Sequence, residues 1–339
     1  MDAERTPTAD GLRMPAEWEP HEACLMSWPS RTSLWKDDFD RAQAEYAGVA
    51  RAVASFELVV MVCNPGDEQI VRDRCGDGVE PLAFPIDDSW MRDNGPIFVV
   101  NEVGEVAIVH FGFNGWGKKY EPYDKDAALP ARLAAHFGIP RYEAPMILEG
   151  GSFFVDGEGT LITTEQCLLN PNRNPQMNRD EIEQTLREYL GVTEIVWLGM
   201  GEVSDRDTDG HIDGIAQYVA PGKVILRVPA DPNDPDHESA DENLRRLRGA
   251  HDAKGREFDV VTFEPGPPGP VPYVNFYLTN GSVVVPVAKS PDDESALEQI
   301  RAVLPDRDIV PVPGECLSVV GGGGPHCITQ QVPAGAGIA

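Results

Sequence analysis

The sequence predicts a mixed α/β chain assembled from one unit repeated along its length. Two observations carry this expectation. Helical patterns alternate with short β-type runs, and several share the order helix, short turn, strand. In addition, polar residues stand where packing alone would ask for none, at Asp93, Glu149, His211, Asn275 and Cys327, about sixty residues apart. That spacing suits one polar group per repeat, all directed at a shared centre.

The elements follow in chain order. Residues 39–55 place Phe39, Ala42, Tyr46, Val49, Ala50 and Val53 on one face at steps of three and four, which predicts a helix. A β-type run at 58–63 follows directly, and another occupies 106–109. A second helix is expected over 126–137, stopped by Gly138. After a run at 161–164 comes the best-marked helix. Asn178 caps it, Glu181 completes a capping box, Ile182, Leu186 and Leu190 form its apolar stripe, and Gly191 ends it. Runs at 195–198 and 224–228, a weaker helix over 239–250, and runs at 273–278 and 283–287 come next. The last helix starts at Ser290-Pro291 and stops at Pro305, before a run at 309–312. The Pro- and Gly-rich stretch 264–270 has flanks too short for a separate domain and reads as a rigid loop.

Composition narrows the function. A chain of 339 residues with 41% hydrophobic and 25% charged content is that of a soluble globular protein. The N-terminus lacks an apolar core, so no signal peptide is expected, and the apolar runs are too short to span a membrane. Six scattered cysteines without a CxxC pair suit reduced thiols and a cytoplasmic location. The balance of 56 Asp and Glu against 28 Lys and Arg, net −28, argues against nucleic acid and anionic membranes as partners. It serves solubility, and its field also favours a cationic substrate. The sequence leaves oligomeric state open, and a homo-oligomer is compatible with it.

The run Gly321-Gly322-Gly323-Gly324-Pro325-His326-Cys327 delivers one thiol at the rim of a turn without side chains. Glycines of that density belong where backbone must approach something closely. His211-Ile212-Asp213, read as a strand, would send imidazole and carboxylate to one face and Ile212 to the core. Three blander or different readings fail or weaken. Asp205, Asp207, Asp209 and Gly210 match the opening of a calcium loop, but Ala216 stands where its bidentate Glu is needed. A zinc site from Cys327, His326, His211 and Asp213 lacks paired ligand spacing, so no metal is expected. The glycine turn lies too near the C-terminus for the helix and strand of a dinucleotide loop. His326 is expected to shape the turn, and Cys24, Cys63, Cys75, Cys167 and Cys316 to be buried fillers.

Cysteine with histidine is a nucleophile–base pair. Here three carboxylates, Asp93, Glu149 and Asp213, accompany one thiol. Carboxylates disfavour a thiolate unless a cation sits among them. A guanidinium fits, being planar, permanently charged and able to pair with carboxylates through two N–H groups.

At this point the chain resembles the agmatine deiminase family of the guanidine-modifying (pentein) superfamily, nearly end to end. The residues that carry the resemblance are Met14-Pro15-Ala16-Glu17-Trp18-Glu19-Pro20-His21-Glu22, Trp90-Met91-Arg92-Asp93, Phe113-Asn114-Gly115-Trp116-Gly117 and Leu148-Glu149-Gly150-Gly151. They continue through Asn172-Arg173-Asn174-Pro175, Gly210-His211-Ile212-Asp213, Tyr273-Val274-Asn275 and His326-Cys327-Ile328-Thr329-Gln330-Gln331. The resemblance implies a five-bladed α/β propeller spanning 1–339 as one domain, and hydrolysis of a small guanidino compound, agmatine foremost, to a ureido product and ammonia. It implies Cys327 as nucleophile, Asp93 and Asp213 clamping the guanidinium nitrogens, His211 as acid and then base, and Glu149 orienting both. It implies Trp90, Asp207 and Asn275 as substrate-binding residues and no cofactor. The chain departs from the family's Gly-Gly-Gly-Asn-Ile-His at Gly323-Gly324-Pro325-His326. An amidinotransferase using the same covalent intermediate, another guanidino substrate, and a guanidine-binding protein without turnover are the alternatives.

Overall fold

The computed structural model describes residues 5–264 and 269–338. Its strands form five separate sheets. Four are three-stranded and share one plan, an antiparallel pair followed by a parallel third strand. They comprise Ile97–Val100, Val106–Gly112 and Arg141–Ile147; Phe153–Val155, Thr160–Thr164 and Glu194–Leu198; Ala216–Ala220, Lys223–Arg227 and Asp259–Phe263; and Tyr277–Leu278, Ser282–Val287 and Asp308–Pro313. A parallel pair needs a crossover, and a helix supplies it each time: Leu129–Phe137, Arg179–Leu190, His237–Gly249 and Asp293–Val303.

The fifth sheet joins the two ends of the chain. Thr329–Pro333 pairs antiparallel with His21–Ser27, which pairs parallel with Leu58–Cys63 through the helix Phe39–Ala54. Val79–Ala83 adds a fourth strand. The same hairpin–helix–strand unit thus occurs five times, with the last copy split between the termini, in a five-bladed α/β propeller.

Residues form these elements for the reasons the sequence suggests, with instructive exceptions. The stripe on Phe39–Ala54 buries Ala42, Tyr46, Val49, Ala50 and Val53 against Met26, Val59 and Met61 of the fifth sheet. Asn178 and Glu181 form the reciprocal capping box, and Gly191 closes that helix with a left-handed φ of 72°. The expected helix 126–137 is two, Asp124–Ala127 and Leu129–Phe137, with Pro130 in the first turn of the second. The last helix starts at Asp293, after Pro291. The expected strand 273–278 keeps only Tyr277–Leu278, because Asn275 is drawn aside to bond the turn that carries His326 and Cys327. The expected strand at His211-Ile212-Asp213 is a 3₁₀ turn, Ile212–Gly214, whose tight backbone still buries Ile212 fully. Within the 264–270 loop, residues 265–268 lie outside the described residues.

Candidate active site

Each of the recurring polar residues lies just before the first strand of a blade. Asp93 precedes Ile97, Glu149 precedes Phe153, His211 and Asp213 precede Ala216, Asn275 precedes Tyr277, and Cys327 precedes Thr329. Strand starts converge at a propeller's centre, so the repeat itself assembles the cluster. All six side chains are buried.

Around the thiol, Cys327 Sγ lies 3.2 Å from Asn275 Nδ2 and 3.4 Å from Asp213 Oδ2. Asn275 Oδ1 accepts the backbone N–H of His326 at 3.1 Å, and its Nδ2 donates to the Asp213 carbonyl at 3.1 Å. The same amide meets the sulfur with both ends, its Nδ2 as donor at 3.2 Å and its Oδ1 as acceptor at 3.4 Å. Asn275, expected to bind substrate, is bonded to the turn that carries His326 and Cys327. Burial, then the charges of Asp213 and Asp93, push the Cys327 thiol well above its ordinary pKa.

The opposite wall is acidic and orderly. Asp93 accepts the Trp116 indole N–H and the Gly151 amide, each at 3.0 Å. Burial pushes its carboxyl up to about 6, with His211 pulling it down and Asp213 and Glu149 adding repulsion. Among the described residues no Lys or Arg pairs with it. Glu149 accepts Arg173 Nε at 2.7 Å and lies 3.7 Å from His211 Nε2. Burial works against its charge, but Arg173 and His211 hold its carboxyl below the usual range. His211 Nδ1 lies 3.8 Å from Asp93, and buried Nε2 has no hydrogen-bond partner among the described residues. Burial opposes its imidazolium, but Asp93, Cys167 and Glu149 outweigh that and hold its pKa well above the ordinary value.

Backbone closeness explains the glycines. A Cβ on Gly323 would sit 2.6 Å from the Trp90 ring and 3.1 Å from Cys327 Sγ, and one on Gly324 would sit 2.5 Å from Asn275 Oδ1. A Cβ on Gly151 would strike His211 Nδ1, Asp93 Oδ1 and Asp213 Oδ2 at 2.7, 2.8 and 2.9 Å. Trp116 holds a left-handed φ of 53°, sparsely populated for a bulky residue, to aim its N–H at Asp93.

Two cavities meet at Cys327. A narrow one, about 30 Å³, runs between Trp90, Trp116, Tyr120, Asp88 and Asp93 to Asp207. A wider one, about 360 Å³, reaches the thiol from the side of Glu202, Asp205, Asp236 and Tyr273. Trp90 stacks on Trp35, their ring centroids 6.1 Å apart, and so offers a rigid wall. Asp207 accepts the Tyr120 hydroxyl at 2.6 Å and lines both cavities. Asp205, first of the rejected calcium match, accepts the amides of Asp207, Thr208 and Gly210 and shapes that loop. Atoms of Glu149, Cys167 and His211 lie close enough together to ligate a metal, but Arg173 already occupies one Glu149 oxygen.

Several participants escape the sequence reading. Arg173 fixes Glu149 and also bonds Asp209 at 2.7 Å. Trp116 and Gly151 fix Asp93. Their signal is the polar and glycine-rich company of Asn172-Arg173 and Gly150-Gly151, where apolar residues would pack as well. Cys24, Cys63, Cys75 and Cys316 are unpaired and buried, as expected of fillers, whereas Cys167, also buried, lies against Glu149 and His211.

The chain is similar to known proteins over nearly its whole length. The model of the family described as Porphyromonas-type peptidyl-arginine deiminase matches residues 13–333. The chain is 42% identical over 360 residues to an agmatine deiminase of Pseudomonas aeruginosa, covering 97% of each. It superposes on the agmatine deiminase of Enterococcus faecalis with a TM-score of 0.92 and 35% identity, covering 98% of each chain. A cysteine-to-serine variant of the C. jejuni agmatine deiminase, with substrate bound, gives a TM-score of 0.84 at 27% identity, covering 95% of this chain and 96% of that one. The chain belongs to the agmatine deiminase family, within the Porphyromonas-type peptidyl-arginine deiminases.

Proposed function

We propose that the protein is a cysteine-dependent hydrolase that converts agmatine to N-carbamoylputrescine and ammonia. One observation carries the reading: the Cys327 thiol lies in a buried ring of carboxylates in which Asp93 has no Lys or Arg partner among the described residues. A guanidinium there supplies the missing charge, with Asp93 and Asp213 accepting its N–H groups. Its charge also reverses the electrostatics that keep the thiol protonated, so the substrate generates its own nucleophile.

The thiolate of Cys327 attacks the guanidinium carbon and forms a C–S bond. His211, held as imidazolium by its carboxylate neighbours, gives a proton to the departing nitrogen, and ammonia leaves as the C–N bond breaks. The result is an S-alkylthiouronium on Cys327. His211, now neutral, takes a proton from water. The resulting hydroxide attacks the same carbon, the C–S bond breaks, and the added hydroxyl's proton passes to the departing sulfur as the ureido C=O forms, restoring the thiol. Glu149, fixed by Arg173, orients His211 and one substrate nitrogen. The aromatic slot between Trp90 and Trp116 suits an alkyl chain, and Asp207 suits a cation at its far end. Six unpaired cysteines suit a reducing cytoplasm.

Incubation with agmatine and other guanidines tests the reading. Ammonia and a ureido product are expected, with agmatine preferred and turnover abolished in Cys327→Ala. An added amine that diverts the product to a new guanidine would instead identify an amidinotransferase.

A further inference from the structure

The segment before the first strand sends one carboxylate into the middle of the molecule. Glu17 is buried, and its two oxygens accept from four side chains or amides. Oε1 takes Gln217 Nε2 at 3.2 Å and the Leu278 amide at 2.9 Å. Oε2 takes Arg92 Nη2 at 3.3 Å and faces His326 Nε2 at 3.0 Å. These partners come from four of the five blades.

His326 faces a second carboxylate with its other nitrogen. Its Nδ1 lies 2.9 Å from Asp213 Oδ2, the atom that is also 3.4 Å from Cys327 Sγ. An ionised carboxylate only accepts, and a neutral imidazole has a single N–H. One such ring cannot satisfy both carboxylates. It would leave a buried nitrogen lone pair against an oxygen lone pair, with nothing to offset either. A ring carrying both protons satisfies every atom. The tilted Phe154 ring, 4.8 Å away between centroids, is a suitable face for such a cation.

We propose that Glu17 is a positioning residue for the reaction: it holds His326 as an imidazolium, and the other N–H of that ring fixes the Asp213 carboxylate beside Cys327. The function of Asp213 rests on the hydrolase reading; the protonation of His326 does not. Both bonds to Asp213 use Oδ2, so Oδ1 remains for a substrate nitrogen. The carboxylates are ionised in this arrangement. Burial would raise Glu17, but His326 and Arg92 bring it down to about 2, and His326 holds Asp213 below the usual range despite burial. The charged groups facing the ring are Glu17, Asp213 and Arg92, with Cys327 beside it and Arg307 acting on Glu17 from another blade. The sequence marks His326 as a residue that shapes the turn. It does so, but as a fixed positive charge next to the nucleophile.

The test is nitrogen NMR of the imidazoles in the full chain labelled at histidine, with His326 assigned by its absence in His326→Gln. At about pH 8, where an ordinary imidazole is neutral, both His326 nitrogens should carry protons. In Glu17→Gln one of them should lose its proton at that pH, and kcat should fall roughly tenfold or more as Asp213 loosens. A neutral His326 in the wild-type protein overturns the proposal, as does Glu17→Gln with both protons and full kcat. If Glu17→Gln does not fold, the wild-type spectrum alone decides. That spectrum needs no substrate, so its result stands apart from the success or failure of the hydrolase reading.

Discussion

At the residue scale, the site depends on atoms that are missing as much as on those present. Gly151 lies under His211, Asp93 and Asp213 at distances no methyl group tolerates. Gly151→Ala should therefore lower kcat about 100-fold, since displacements near 1 Å at a reacting centre carry that cost. Circular dichroism should report an intact fold, and wild-type turnover would contradict the geometry. Cys327, His211, Asp93, Glu149 and Asp213 stand out in the sequence because their residue types make no sense as packing, and the structure buries them together. Glu17, Arg173 and Trp116 carry no legible role, because a charged or aromatic residue in a polar loop looks the same whether it faces solvent or supports a buried carboxylate.

At the scale of elements, helices are easier to read than strands. The stripe and capping box of Arg179–Leu190 are local, and the structure reproduces them. Asn178→Ala should cost about 1 kcal/mol of stability in a denaturant titration and leave kcat unchanged; a change below a few tenths would mean that packing, not the cap, holds that end. The first strand of each blade is hardest to see. Phe153–Val155 and Tyr277–Leu278 are too short for a pattern, and each follows a site loop whose polar residues hide it. The 3₁₀ turn at Ile212–Gly214 reads as strand because alternation of polar and apolar residues over three positions fits both.

At the scale of the whole molecule, the strongly acidic surface and the buried carboxylates make binding a question of pH and salt. Asp93 must be ionised to hold a guanidinium, and its pKa in the free protein is raised to about 6. Calorimetry of agmatine with Cys327→Ala should therefore show affinity rising as pH increases through about 6 and levelling above it; flat affinity from pH 5 to 8 would remove Asp93 from the clamp. The sign for stability is opposite. A carboxyl whose folded pKa is raised binds its proton more tightly in the folded state. The Asp93 contribution therefore favours folding below the ordinary carboxylate range, and it is lost as pH rises through about 6. Glu17, brought down to about 2, contributes stability above that range that is lost as pH falls through about 2. A net charge of −28 should also make association with a cationic substrate faster at low salt.

Covalent catalysis of this kind requires that the substrate carbon become bonded to Cys327. Acid quenching during turnover of agmatine, followed by mass spectrometry of the peptide containing Cys327, is the decisive measurement. A thiouronium adduct on Cys327 should form and decay with turnover, and none should appear in Cys327→Ala. Ureido product formed without any adduct, or formed by Cys327→Ala, would contradict the mechanism.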